Sequence, residues 1–282
     1  RLGPDLVGQP QGADQLAQIA QAAKQVGIHA SLTLNARYTH SQLPYVLDLA
    51  AFWEHAGGAS ITVSGVGILL ALQERKSRVA CHISLLANAI NSYAVAFFRR
   101  LGASRIIFPR HLTIAEMSAI AAHDPSLEYE AIVLNDKCAF IDGLCGFYHG
   151  VTFPDDTPSL FAYHHSGAGN APVCYVSDLC YAGHGCEIPF VDENKRPVSQ
   201  RKRDDINRPA CAACHLLEMH RAGVRLLKIG GRGLPTHVKI RAIQYVRKVA
   251  EMALDRASSR QFKAIYRETF GQTCTKDTCY YK

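Results

Sequence analysis

Apolar residues recur at helical spacing through Asp14–Gly27 (DQLAQIAQAAKQVG), and the segment stops on Gly27, a common helix end. The next segment, Ile28–Ala36, is short, apolar and β-branched, and predicts a strand. The alternation then repeats. Helical patterns over 42–58, 67–76, 90–102 and 112–124 alternate with strand patterns over 59–67, 78–85, 104–110 and 126–135. A last strand is predicted over 224–233, followed by a long amphipathic helix from Val238 to about Ala257. The strands are rich in apolar residues along their whole length, as parallel strands covered on both faces should be.

Repeated β–α units imply right-handed crossovers and a parallel sheet. Five strands precede Cys138 and one follows late, which approaches an eight-stranded barrel. The expected fold is therefore α/β and TIM-barrel-like. The opening RLGPDLVGQPQG reads as a loop, so the first barrel strand is expected upstream of Arg1, leaving this sequence incomplete at its N-terminus. Barrels place their chemistry at the C-terminal ends of strands. Those ends are Asn35–Arg37, Ser64–Gly65, His82–Ser84, Pro109–Arg110, Asn135–Lys137 and Gly230–Arg232.

The alternation fails between Cys138 and Cys214, where Gly, Pro, Tyr, His and thiols concentrate. Three stretches result. Residues 1–137 form the β/α barrel part. Residues 138–214 form a Cys-rich irregular insert. Residues 215–282 hold the last barrel strand, the long helix and a Cys-containing tail. A loop-rich region dense in thiols needs something other than apolar burial to hold it, and a metal would do so.

Composition narrows the chemistry. The chain has 282 residues, a net charge of +7 and ten cysteines. No apolar run reaches the ~18–20 residues of a membrane span, and no secretion signal opens the sequence. A cytoplasmic protein with reduced thiols is expected, and thiols there more often bind metal or do redox work than staple a fold. The basic excess suits an anionic substrate or RNA. The densest basic run, Lys195–Arg203, is followed by Asp204 and Asp205 and reads as a solvated loop.

Eight of the cysteines fall in close pairs: Cys138/Cys145, Cys180/Cys186, Cys211/Cys214 and Cys274/Cys279. Close pairs let two thiolates from one loop reach one metal, and four complete a zinc site or an iron–sulfur cluster. Eight would permit two sites. Cys211 and Cys214 could be completed by Cys138 and Cys145, or by Cys274 and Cys279. Spacing alone separates neither these partners nor zinc from iron–sulfur. Cys81 lies in a strand pattern and reads as a small buried hydrophobe, which leaves Cys174 unpaired.

Three stretches resemble the collagenase-like "U" peptidases, the thirty-second family of that class. They are EYEAIVLNDKCAFIDGLC, RVACHISLLANAINSYAVAFFRRLGASRIIFPRHLTIAEM and HLLEMHRAGVRLLKIGGRG, in the family's order. The resemblance implies a barrel-like fold. It also implies, for several members, a 4Fe–4S cluster on four cysteines and oxygen-independent hydroxylation of tRNA or rRNA pyrimidines or of the ubiquinone ring. Prephenate, a dicarboxylate, is the implied hydroxyl donor. Cys138 and Cys145 match the family's first pair, and Cys180 and Cys186 lie near its next cysteine. KIGGR stands where many members have KIEGR, so Gly230 replaces a carboxylate.

Arg110, Lys228 and Arg232, at or beside strand ends, are candidates to clamp a substrate carboxylate. His82, beside Ser84 and Asn88, is a candidate to orient substrate or shuttle a proton, or else a satisfied core histidine. Asn35 and Asn135 are candidate hydrogen-bonding groups. His149, His164 and His165 fall in the insert and read as solvated or metal-ligating. No GxSxG, HExxH or P-loop pattern occurs, and no one thiol stands out as a protease nucleophile. The sequence thus favours an iron–sulfur hydroxylation protein. Its alternatives are a collagenase-like peptidase and a non-catalytic, zinc-bound partner of a paralogous subunit.

Overall fold

A computed structural model of the chain describes residues 10–36, 38–135, 137, 142–143, 209–231 and 234–281. Two compact units divide them. The first runs from the N-terminus to Pro109 and also takes Ser126–Glu128 and Asp142–Gly143. The second takes Arg110–Pro125, the residues from Tyr129 to Lys137, and Pro209 onward.

In the first unit, helices α1 (Pro10–Gln25), α2 (Leu43–His55), α3 (Val66–Glu74) and α4 (Ser92–Arg100) alternate with strands. The strands are β1 (Ser31–Leu34), β2 (Ser60–Val63), β3 (Ala80–Ile83) and β4 (Ala103–Ile107). Each strand pairs in parallel with the next in chain order. That sequential order is the one a β/α-barrel wall has. A doubly wound sheet reverses its order instead. All four residues of β2 are buried, so both faces of that strand are covered, as its apolar run requires. One residue, Ser104, is extra on β4 where it passes β3, and its hydroxyl donates to the Cys81 carbonyl at 3.1 Å. Trp53 of α2 is 2% exposed and donates its indole N–H to Ser60 O at 2.9 Å, tying α2 to β2.

The second unit holds α5 (Ile114–His123), β5 (Glu128–Leu134, with Glu128 on the first unit), α6 (Leu216–Arg221), β6 (Leu226–Ile229), α7 (Thr236–Leu254) and α8 (Ser259–Phe270). β5 and β6 are parallel neighbours. α5 opens on a capping box between Thr113 and Glu116, and α8 on one between Ser258 and Gln261. The sequence pattern gives α7 but leaves α8 unassigned. α8 buries Phe262, Tyr266 and Phe270, spaced at four-residue intervals. It ends on Gly271, whose φ of +68° closes the last turn. Tyr245 of α7 packs edge-on against Tyr266 and Phe270, with ring centroids 6.1 and 4.9 Å away.

The strand pair β5–β6 carries an ion pair. Lys228 Nζ lies 2.6 Å from Glu130 Oε1, and the two side chains are 35% and 10% exposed. The carboxylate is thus largely taken from water and paired with an ammonium. Removing the ammonium leaves a buried carboxylate with less compensation, which costs more than the pair gains. Lys228→Met should destabilise the chain by about 2–3 kcal/mol, below the cost for a fully buried pair because Lys228 keeps some solvent. Glu130→Leu added to Lys228→Met should recover most of that loss. Urea unfolding of both variants measures it.

Candidate functional site: polar strand ends and a four-thiol cavity

The strand ends of the first unit carry linked polar groups. Asn35, after β1, donates through Nδ2 to Ser84 Oγ at 3.1 Å, and its carbonyl accepts from Ser64 Oγ at 2.9 Å. Ser84 is 2% exposed, and its amide donates to Val63 O at 2.7 Å. The ends of β1, β2 and β3 are therefore stitched into one hydrogen-bonded patch. His82 is buried on β3, level with Thr62 of β2 and Arg105 of β4. Asn88 follows at φ +57°, and its side-chain Oδ1 is buried without a hydrogen-bond partner among the described residues. A buried amide oxygen in that state has acceptor capacity to offer a ligand or water.

The middle of the Cys138–Cys145 loop lies against this region. Asp142 is 2% exposed. Gly143 has φ +86°, and a Cβ there would stand 2.6 Å from Asn88 Cβ, so only glycine fits. Cys138, Cys145, Cys174, Cys180, Cys186, Arg232, His149, His164 and His165 lie outside the described residues.

In the second unit, Arg110 is half-buried ahead of α5, and Lys228 engages Glu130 as described. An ammonium has three donors, so this pairing leaves Lys228 capacity for a second anion. Asn135 caps β5. Its Nδ2 donates to Gly230 O at 3.0 Å, while the Gly230 amide donates to Leu134 O at 2.9 Å. The residue standing in place of the family's carboxylate thus serves here through its main chain.

β5 has one extra residue, Val133, between the register positions Ile132↔Lys228 and Leu134↔Ile229. The bulge turns the Val133 carbonyl away from β6, and it accepts the Ala212 amide at 2.9 Å. The Asn135 amide donates to Ala210 O at 2.9 Å, which completes an antiparallel bridge between Leu134 and Cys211. On its other side Cys211 bridges the tail in parallel: its amide donates to Thr278 O at 2.8 Å, and its carbonyl accepts from Tyr280 N at 2.9 Å. Side chains reinforce the tail. The Tyr280 hydroxyl donates to Asn135 O, Tyr281 Oη donates to Ile132 O at 2.9 Å, and Lys137 Nζ donates to Cys279 O at 2.7 Å.

This threading gathers two thiol pairs. Cys211, Cys214, Cys274 and Cys279 line one small cavity, partly open to solvent, together with Tyr245, Lys263 and Tyr266. Of the partners left open for Cys211 and Cys214, the structure thus brings up Cys274 and Cys279. Cys211 is buried, its Sγ lying 3.1 Å from Tyr245 Oη and accepting from Ala213 N at 3.3 Å. Burial pushes this thiol up to about 12, against the lowering effect of those two hydrogen bonds. Burial likewise raises the Tyr245 hydroxyl. Cys214 is exposed, with Sγ 3.6 Å from Ser259 Oγ. Cys279 Sγ lies 3.9 Å from His215 Nε2. Cys81, as its strand pattern suggests, is buried and raised to about 11.

A parallel α/β framework with polar strand ends and a thiol-lined cavity defines the class. The sequence pattern of Peptidase family U32 matches residues 11–157, more than half of the chain, and the chain belongs to that family. Among curated relatives, the tRNA hydroxylation protein P of Haemophilus influenzae is 30% identical over 86 residues, 30% of this chain and 19% of that protein. The tRNA hydroxylation protein P of Escherichia coli K12 is 29% identical over 101 residues, 36% of this chain and 22% of that protein. The match thus spans about a fifth of each relative's length. The solved structure of the U32 peptidase Mk0906 matches 42% of this chain and 51% of its own, at 20% identity and a TM-score of 0.36.

The roles of Tyr245, Tyr280 and Tyr281 escape sequence reading. The repeat Phe262, Tyr266, Phe270 is the one local signal that would have pointed to α8 beneath this cavity. Thiol reactivity follows from burial. In the metal-free native chain, iodoacetamide at mildly alkaline pH should label Cys214 well before Cys211 and Cys81, which should react only after unfolding. Peptide mass spectrometry over a time course reads the order.

Proposed function

We propose that this chain takes part in oxygen-independent hydroxylation of a base in tRNA, as a cytoplasmic iron–sulfur protein with a barrel-like catalytic domain. The observation that carries the reading is the match to two relatives that are both named for tRNA hydroxylation, within a family-wide match over residues 11–157. Polar strand ends on sequentially paired parallel strands support a site of the barrel type.

In this reading Cys138 and Cys145 supply two thiolates to a 4Fe–4S cluster, with Cys180 and Cys186 the nearest in sequence to complete it. The cluster, when bound, would supply electron transfer. Arg110, Arg232 and the remaining donors of Lys228 hold a dicarboxylate of prephenate type, the hydroxyl donor. Within the first unit, the Asn88 side-chain oxygen is a hydrogen-bond acceptor open to a ligand, near the end of the strand that carries His82. For RNA, α8 offers exposed Arg260, Lys263 and Arg267 at spacings of three and four residues, which place all three on one flank of the helix.

Two experiments test this. Nucleoside mass spectrometry on RNA from cells grown without oxygen should show a base one oxygen atom heavier, lost when the gene is deleted and restored by the full-length protein. An unchanged nucleoside profile, or accumulation of an unhydroxylated quinone precursor instead, contradicts it. Anaerobic peptide cleavage by the purified protein would support the peptidase alternative. Separately, Arg260→Glu/Arg267→Glu should weaken tRNA binding irrespective of sequence and flatten its salt dependence. Binding isotherms at several salt concentrations measure both.

A further inference from the structure

We propose that Cys211, Cys214, Cys274 and Cys279 hold a multinuclear iron–sulfur cluster of their own, separate from the group assigned to Cys138 and Cys145. The first argument is convergence. A C-x2-C pair and a C-x4-C pair, distant in sequence, line the same cavity because the tail is hydrogen-bonded to both sides of the Cys211 main chain. Four thiols from two short loops are the ligand count for either a tetrahedral zinc or an iron–sulfur cluster.

The second argument separates those two. Zinc sits about 2.3 Å from each sulfur, so four sulfurs around it stand only about 3.8 Å apart. Among the described residues, no three Cys, His, Asp or Glu side chains are gathered closely enough to hold one ion. The four thiols line one pocket without meeting at a point. A group with several metal atoms, each taking one thiolate, needs its ligands spread in this way.

The third argument concerns charge and hydrogen bonding. A cluster on four thiolates carries net negative charge, and Lys263 lines the cavity with a compensating ammonium. Tyr245 Oη, 3.1 Å from Cys211 Sγ, is placed to donate to a ligating sulfur. Hydrogen bonds to ligand sulfurs raise a cluster's reduction potential, because they favour the more negative reduced state. Tyr245 is therefore a positioning and tuning residue.

The inference rests on the iron–sulfur reading of the chain, and one set of measurements distinguishes them. Full-length protein is purified without oxygen, and its iron, sulfide and zinc are measured. EPR spectra and reductive titrations are taken. Cys214→Ser, whose side chain is exposed, and Cys274→Ser/Cys279→Ser should each lose iron and sulfide in equal amounts. Cys138→Ser/Cys145→Ser should keep that share. Tyr245→Phe preserves the ring and its packing. It should retain the full iron content while one EPR-active centre shifts to a more negative midpoint potential. If the tail variants keep all their iron while Cys138→Ser/Cys145→Ser loses it, the iron–sulfur reading stands and this site is overturned. Stoichiometric zinc without sulfide, lost with the tail cysteines, also overturns it. An unshifted potential in Tyr245→Phe does the same. Iron-free wild-type protein overturns both readings.

Discussion

Cys211 has both of its main-chain hydrogen-bonding groups committed to the tail, and its flanking residues committed to β5. Ala212 takes the carbonyl that the Val133 bulge releases, and Ala210 receives the Asn135 amide. A buried backbone must place every N–H and C=O, and here the placement joins three segments far apart in sequence. The tail buries Tyr280. What fixes it is this ladder, reinforced by hydroxyls from Tyr280 and Tyr281 and the ammonium of Lys137. Remove the bulge and the Val133 carbonyl returns to β6. Ala212 then loses its partner, and the bridge that carries Cys211 toward Cys279 has nothing to hold it.

The thiol cavity is a consequence of that ladder. Tyr245, Phe262 and Tyr266 form its aromatic floor, and Phe270 of α8 packs against both tyrosines. The Tyr266 hydroxyl donates to Pro209 O at 2.7 Å, so the floor also steadies the approach to Cys211. The first unit solves a different problem by similar means. Parallel strands buried on both faces expose polar groups only where they end, and Asn35, Ser64 and Ser84 satisfy one another there. Both arrangements place chemistry on main chain that is already fully hydrogen-bonded, which limits how far a reacting group can wander.

Much of the framework is legible in the sequence because each strand and helix declares itself locally. The run Ser60–Val63 is apolar and β-branched enough to be a strand buried on both faces, and it is one. The strand ends named from the pattern, at Asn35, Ser64, Ser84, Asn135 and Gly230, all lie directly after observed strands. The rest depends on contacts that no local pattern encodes. That CAAC meets Cys274 and Cys279 turns on one extra residue in β5 and on pairing across more than sixty positions to the tail. Lys228 reads as a free clamp from its place at a strand end. Its partner Glu130 becomes visible only when β5 and β6 lie side by side. α8 carries so many charged residues that its three buried aromatics are easily overlooked.

The central claim is that the tail completes a four-thiol site around Cys211, the one proposed to hold iron and sulfide. Anomalous diffraction at the iron edge, from crystals grown without oxygen, tests it most directly. The account predicts a strong iron peak enclosed by the sulfurs of Cys211, Cys214, Cys274 and Cys279, with Tyr245 Oη against the Cys211 sulfur. A crystal in which iron is present elsewhere in the chain but absent from this cavity would contradict it.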